Sequence, residues 1–271
     1  MYALGVPYTE YVDDWIPTVW GKPLFASAKD GSAWPSIVEK AYAKRYGNYQ
    51  HMDGGNMATG VSVLTGSPYK THRHVDMNDD SLWELLKKHD IDTDILTAGT
   101  ACADPTITDD QTCNTPQGLA ANHAYTVLGV ASITKDGEEV RLVKVRNPWG
   151  DNQYNGPWSE SSGDWTPELK AEVDTKLGNV GHGDAGVFYM DIATYRTNFD
   201  ASDVNEDVSG WELSYFLMLG DTKTETKADD YGICSACTEH IIEVKNPSEE
   251  SQKVYVGAHV WQARTYSVNN D

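Results

Sequence analysis

Apolar and polar positions alternate through "HAYTVLGVASI", His123 to Ile133, and again through "VRLVKV", Val140 to Val145. Runs of β-branched and apolar residues at that spacing predict two strands. Lys135-Asp136-Gly137 between them is a hairpin signal, so the strands are expected to run antiparallel. A hairpin returns the chain on itself and makes His123 and Asn147 neighbours at one end of the ribbon.

Elsewhere the period changes to that of a helix. Trp34, Ile37, Val38, Ala41 and Tyr42 fall at i, i+3, i+4, i+7 and i+8 and predict a helix whose apolar face is core, with Ser32 as cap, Pro35 in the first turn and Gly47 as the stop. A second helix is expected from Asp80 to His89, burying Leu82, Trp83, Leu85 and Leu86 and placing Lys87, Lys88 and His89 at its negative end. A third opens at Thr166-Pro167 and closes at Gly178. Tyr2 to Val12, Ile95 to Cys102, "AGVFYMDIATY" and "WELSYFLML" are expected as strands. Residues 51–67, with irregularly spaced glycines that match no phosphate-binding fingerprint, and the acidic stretch 104–117 are expected as loops.

Composition narrows the function classes. A hydrophobic content of 39%, with nine Trp and fifteen Tyr, predicts a folded chain. The formal charge of −20 opposes nucleic acid and anionic membrane as partners. No apolar run approaches the roughly 20 residues of a membrane span, and no leader-like segment opens the chain, so an intracellular, cytoplasmic protein, with cytoskeletal association as one option, is expected. Four cysteines, at positions 102, 113, 234 and 237, are too few for a disulfide framework and are expected as reduced thiols. "CSACTEH", Cys234 to His240, would bind zinc only with ligands from elsewhere. The composition shift at 221–232 marks a linker, beyond which 233–271 looks like the start of a β-domain.

A neutral imidazole held by a side-chain amide is the base and orienter half of a Cys-His-Asn device. The alternative is that His123 begins a strand, Asn147 ends one, and Pro148 with Gly150 stops the sheet.

"NHAYTV", "VKVRNPWG" and "YNGPWSE" resemble the Gly-His-Ala-Tyr-Ser-Val, Ile-Arg-Asn-Pro-Trp-Gly and Trp-Thr-Gly-x-Trp-Ser-Asp runs of the calpain family of papain-like cysteine proteases. "YVDDWIP", "PLFAS", "WPSIVEKAYAKRYGNYQ" and "TGS" follow the same family's order, so the resemblance covers roughly residues 6–220. It implies an α+β fold, the papain-like calpain core. Residues 1–67 would be the remainder of the first, Cys-side subdomain. Residues 68–220 would be the second subdomain, an antiparallel, β-barrel-like sheet carrying His and Asn. The linker and a partial β-sandwich-like segment would follow.

The resemblance implies that His123 is the catalytic base, Asn147 its orienter and Trp149 the indole that shields their hydrogen bond. The family's Gln-Gly-x-x-Gly-Asp-Cys-Trp segment, which carries the nucleophile at a helix N-terminus, has no match here, and Cys102, Cys113 and the Cys234/Cys237 pair are poor substitutes. The family's calcium carboxylates are also replaced. Thr59, Ser62, Val63, Gln153, Ala185 and Val187 stand in acidic places, and Glu160 is the retained carboxylate, so no cofactor is expected and calcium binding is expected to be weak. Two functions follow: a non-catalytic binding or scaffold module, or part of an active calpain-type endopeptidase whose Cys segment lies on a further N-terminal region or a partner chain. A peptide would be the substrate in the second case only. A protein partner or larger assembly is expected in both, because the apolar face of the first helix would otherwise be left uncovered.

Overall fold

The computed structural model describes residues 1–209 except 4–5, 53, 90–93, 103–114, 116, 152–153 and 179–184. Chain contacts define two units, residues 1–3 with 7–209, and residues 4–6 with 210–271. The first holds the main sheet and all the described helices. The expected strand "WELSYFLML", the linker, the partial β-domain and the zinc reading at Cys234 and Cys237 lie outside the described residues.

The elements run β1 (Tyr2–Ala3), β2 (Val6–Pro7), β3 (Thr18–Val19), β4 (Lys22–Pro23), α1 (Trp34–Arg45), α2 (Met57–Thr65), β5 (Tyr69–Arg73), α3 (Asp79–Lys88), β6 (Ile95–Gly99), β7 (Ala124–Lys135), β8 (Glu138–Arg146), α4 (Pro167–Leu177), β9 (Val187–Asp191), α5 (Ile192–Asn198) and β10 (Ala201–Asn205). Six strands form one sheet in the order β5-β10-β6-β7-β8-β9, antiparallel at every step. Among the described residues this ladder ends at β5 and β9 and does not close on itself.

The β7–β8 hairpin forms as its pattern predicts. Asp136 and Gly137 take φ of 54° and 86°, the left-handed pair of a tight turn that follows strand twist, and Lys135 faces Glu138. The register shifts between Val127 and Gly129, so Leu128 is a bulge. With a side-chain period of two, that extra residue turns the strand over. Tyr125 and Val127 pack into the larger core with Leu82, Trp83 and Leu86 of α3 and Tyr195 of α5. Ile133, of the same parity, packs into a second core with Leu142, Trp158 and with Leu169 and Val173 of α4. One hairpin therefore feeds both cores.

Helices α3 and α4 arise where expected. Asn78 and Ser81 form a reciprocal capping box on α3, and the Thr166 hydroxyl accepts from the Leu169 N–H to cap α4. Four expectations are corrected. Residues 51–67 are not simply a loop: Asn56 caps α2 through the Thr59 N–H, and Gly66 ends it at φ 79°. "AGVFYMDIATY" is not one strand, because the Asp191 carboxylate accepts from the Thr194 N–H and starts α5. Ser32 does not cap α1; its hydroxyl is taken by Asp30, and Ala33 occupies the cap without a side-chain bond. The expected core face of α1 is only partly buried: Ala41 is buried, Ile37, Val38 and Tyr42 are half-buried, and Trp34 is 66% exposed.

Candidate active site

The hairpin brings His123 to within 2.9 Å of Asn147, Nε2 to Oδ1, as its spacing predicts. His123 precedes β7 and Asn147 follows β8, where Thr126 faces Arg146. The backbone of His123 is held by Thr100, just after β6. Thr100 N–H donates to the His123 carbonyl at 3.1 Å, and the buried Thr100 hydroxyl both accepts from His123 N–H at 3.2 Å and donates to the Ala120 carbonyl at 2.8 Å. Asn122 sits at φ 51°, in the left-handed region that Asn tolerates, and its side-chain oxygen accepts from the Cys102 N–H. The Asn that stands where the resemblance has glycine thus keeps the turn and adds a tie to the end of β6.

Asn147 is buried and its carbonyl accepts from Gly150 N–H at 3.1 Å, closing an Asn-Pro-Trp-Gly turn with Pro at its second position. Gly186 backs this turn: its carbonyl accepts from Asn147 N–H at 2.9 Å, and a Cβ at position 186 would lie 2.6 Å from the Asn147 oxygen. The turn carries Trp149 over the imidazole, ring centres 4.2 Å apart at 42°, while Tyr125 meets the same imidazole edge-on at 4.9 Å. Trp149 remains 45% exposed while its ring lies against the imidazole.

The amide of Asn147 is oriented by three contacts. Oδ1 accepts from His123 Nε2–H and, at 3.0 Å, from Trp149 N–H; Nδ2 donates to Asp151 Oδ1 at 3.2 Å. An oxygen that accepts from a backbone N–H cannot be the amide nitrogen, so His123 carries its proton on Nε2 when neutral. Nδ1 is then the basic nitrogen. That is the tautomer a general base needs if a proton is to be taken on the side away from Asn147.

All three expected site residues, His123, Asn147 and Trp149, come together. Glu160 is exposed. Of the replaced calcium positions, Thr59, Ser62 and Val63 lie on α2, where Ser62 and Val63 are buried and the Thr59 hydroxyl bonds to Asn56 and Tyr69. Gln153 lies outside the described residues. Among the described residues no three His, Cys, Asp or Glu side chains are grouped so that they could hold a metal ion.

Cys102 corrects the expectation of reduced thiols: it is disulfide-bonded, and a sulfur in a disulfide is not a nucleophile. Cys113 lies outside the described residues. Thr100, Asp151 and Gly186 were not singled out by sequence.

A histidine paired with an asparagine beneath an indole is the arrangement that the resemblance to papain-like cysteine proteases implies. Comparison with known proteins bears on the family. The profile of the family described as "Calpain family cysteine protease" matches residues 2–206. Calpain-9 of Rattus norvegicus is 32% identical over 197 residues, covering 71% of this chain and 27% of that protein. The calpain-type cysteine protease DEK1 of Arabidopsis thaliana is 36% identical over 197 residues, covering 69% of this chain and 8% of its own length. Calpain clp-4 of Caenorhabditis elegans is 31% identical over 202 residues, covering 71% of this chain and 26% of that protein. The chain belongs to the calpain family of cysteine proteases. It spans about a quarter or less of the length of these relatives.

Proposed function

We propose that the chain carries the base-and-orienter half of a calpain-type cysteine endopeptidase site. The observation that carries this reading is the 2.9 Å bond from His123 Nε2 to Asn147 Oδ1 beneath Trp149. Given a thiol beside Nδ1, supplied from a further N-terminal region or a partner chain, His123 takes the thiol proton as sulfur attacks the scissile carbonyl. It then returns that proton to the departing amine. Asn147 holds the ring in the tautomer that leaves Nδ1 basic, and the imidazolium formed midway keeps its bond to the Asn147 oxygen.

The second reading is a non-catalytic binding or scaffold module. It is favoured by the disulfide at Cys102, which leaves no described thiol to attack. Hydrolysis of an unstructured protein such as casein by the natively isolated protein separates the two. Cleavage that disappears in His123→Ala supports the first reading; a folded, native isolate with no cleavage supports the second.

The two-subdomain arrangement divided at 67/68 is part of this proposal, as is a protein partner. Trp15, Trp20 and Trp34 are 81%, 98% and 66% exposed, and large aromatics left exposed in this way are what the partner reading rests on. Calcium is proposed to bind weakly at most, given the absence of converging carboxylates among the described residues. No described helix is long and apolar enough to cross a membrane. On location there are two readings: a cytoplasmic one, which the low cysteine count favours, and an oxidising compartment, which the Cys102 disulfide favours.

A further inference from the structure

The side-chain amide of Asn147 has two ends of equal size, and a half-turn about its last bond would exchange them. One end gives His123 an acceptor and the other would give it a donor. Only the first keeps the imidazole proton on Nε2, so whatever holds the amide in place also decides which nitrogen of His123 is basic.

On the oxygen side that hold comes from Trp149 N–H at 3.0 Å. On the nitrogen side it comes from Asp151, whose Oδ1 takes the Nδ2–H at 3.2 Å. A carboxylate can only accept when ionised, so a flipped amide would set its oxygen against a negative charge. The position of Asp151 follows from the turn: Gly150, at φ 76°, closes its N–H onto the Asn147 carbonyl and returns the next residue beside the Asn147 side chain. Asp151 itself is exposed, so its removal opens no cavity.

We propose that Asp151 is a positioning residue of this site: its carboxylate fixes the orientation of the Asn147 amide and, through it, the Nε2–H tautomer that leaves His123 Nδ1 as the base. This rests on the reading of His123 and Asn147 as base and orienter. In this scheme Asp151 acts through Asn147, whose Nδ2–H it accepts.

The test is long-range proton–nitrogen NMR of His123 in the 15N-labelled chain at about pH 8, above the ordinary imidazole range. The wild-type ring is expected to be almost wholly the Nε2–H tautomer. Asp151→Ala should lower the ratio of Nε2–H to Nδ1–H by about tenfold, the factor that a hydrogen bond to a charged group supplies. Asp151→Asn should restore it, because its side-chain carbonyl still accepts from Nδ2. A purely structural role would move neither ratio. If Asp151→Ala keeps the wild-type ratio while Asn147→Ala shifts it, the role of Asp151 is overturned and the base-and-orienter reading stands. If Asn147→Ala leaves the ratio unchanged as well, both fall.

Discussion

Helices α1 and α3 were both expected to bury an apolar face, but the apolar side of α3 is much the better defined and the two end in different surroundings. In α3, Leu82, Trp83 and Leu86 are 0%, 5% and 2% exposed and sit against the sheet. In α1 the largest apolar side chain, Trp34, faces outward, and the helix is tied down by polar contacts. The Ser36 hydroxyl donates to the Ala26 carbonyl at 2.6 Å, the Glu39 carboxylate accepts from Ala26 N–H at 3.0 Å, and Lys40 and Lys44 reach the Trp15 and Tyr11 carbonyls. Burial takes the Glu39 carboxyl above its usual range, only partly opposed by that N–H. Burying a large apolar side chain contributes about 1.5–3 kcal/mol, whereas one hydrogen bond contributes about 0.5–1.5 kcal/mol net. Periodicity thus reveals that a helix has a face; what covers the face decides what the face is worth.

The sharpest contrast is between Leu82→Ala and Trp34→Ala. The first should cost about 2–5 kcal/mol by leaving a cavity in the larger core, and the second less than about 0.5 kcal/mol in the isolated chain. Urea unfolding measures both. A large loss from Trp34→Ala would mean that α1 is packed as tightly as α3.

Acid should separate the sheet region next. His74, 2% exposed with Nε2 2.8 Å from the Ser202 hydroxyl, has its pKa pushed down to about 4 by burial. The unfolded chain binds this proton at about 6.5, so the unfolded state gains protons first. Stability from this group is complete above that value and is lost as pH falls toward 4. The loss should be about 3 kcal/mol, read as the difference in unfolding free energy at the two ends of the window. A flat profile across it would show that His74 opens to solvent.

Glycines give a smaller contrast. Gly186→Ala should cost about 1–3 kcal/mol, because its Cβ must push the Asn147 turn away, and should disturb the His123 NMR signals. Gly163→Ala, with nothing within 4 Å of its Cβ, should be neutral within about 0.5 kcal/mol. Ser36→Ala is expected to loosen α1 by about 1 kcal/mol through loss of its bond to the Ala26 carbonyl. Hydrogen exchange confined to α1 would register it.

Much of this was legible where local chemistry and global packing agree. The Asp136-Gly137 turn, the Thr166-Pro167 helix start and the Leu82-Trp83-Leu86 face each carry a pattern that the fold then uses. The hairpin was enough to pair His123 with Asn147. The strand β10 escaped notice because Ser202, Asp203 and Asn205, though buried, are polar. Their burial is made tolerable by distant partners, Thr71 for Asp203 and the Ala58 carbonyl for Asn205, which no local pattern displays. Helix α2 was hidden by its glycines, although Asn56 and Gly66 stood at its ends as caps. Asp151, Thr100 and Gly186 act through hydrogen bonds and close backbone approach, which leave no periodic trace.

The most direct test of the central claim is labelling of the natively isolated protein with an epoxysuccinyl inactivator of cysteine proteases, followed by mapping of the modified cysteine and repetition in His123→Ala. One labelled thiol is expected, neither Cys102 nor any other cysteine of this sequence, on a longer form of the chain or on a co-purifying partner, with labelling lost in the variant. An unlabelled, folded native protein, or labelling indifferent to His123, would contradict it and leave the calpain fold serving as a binding module.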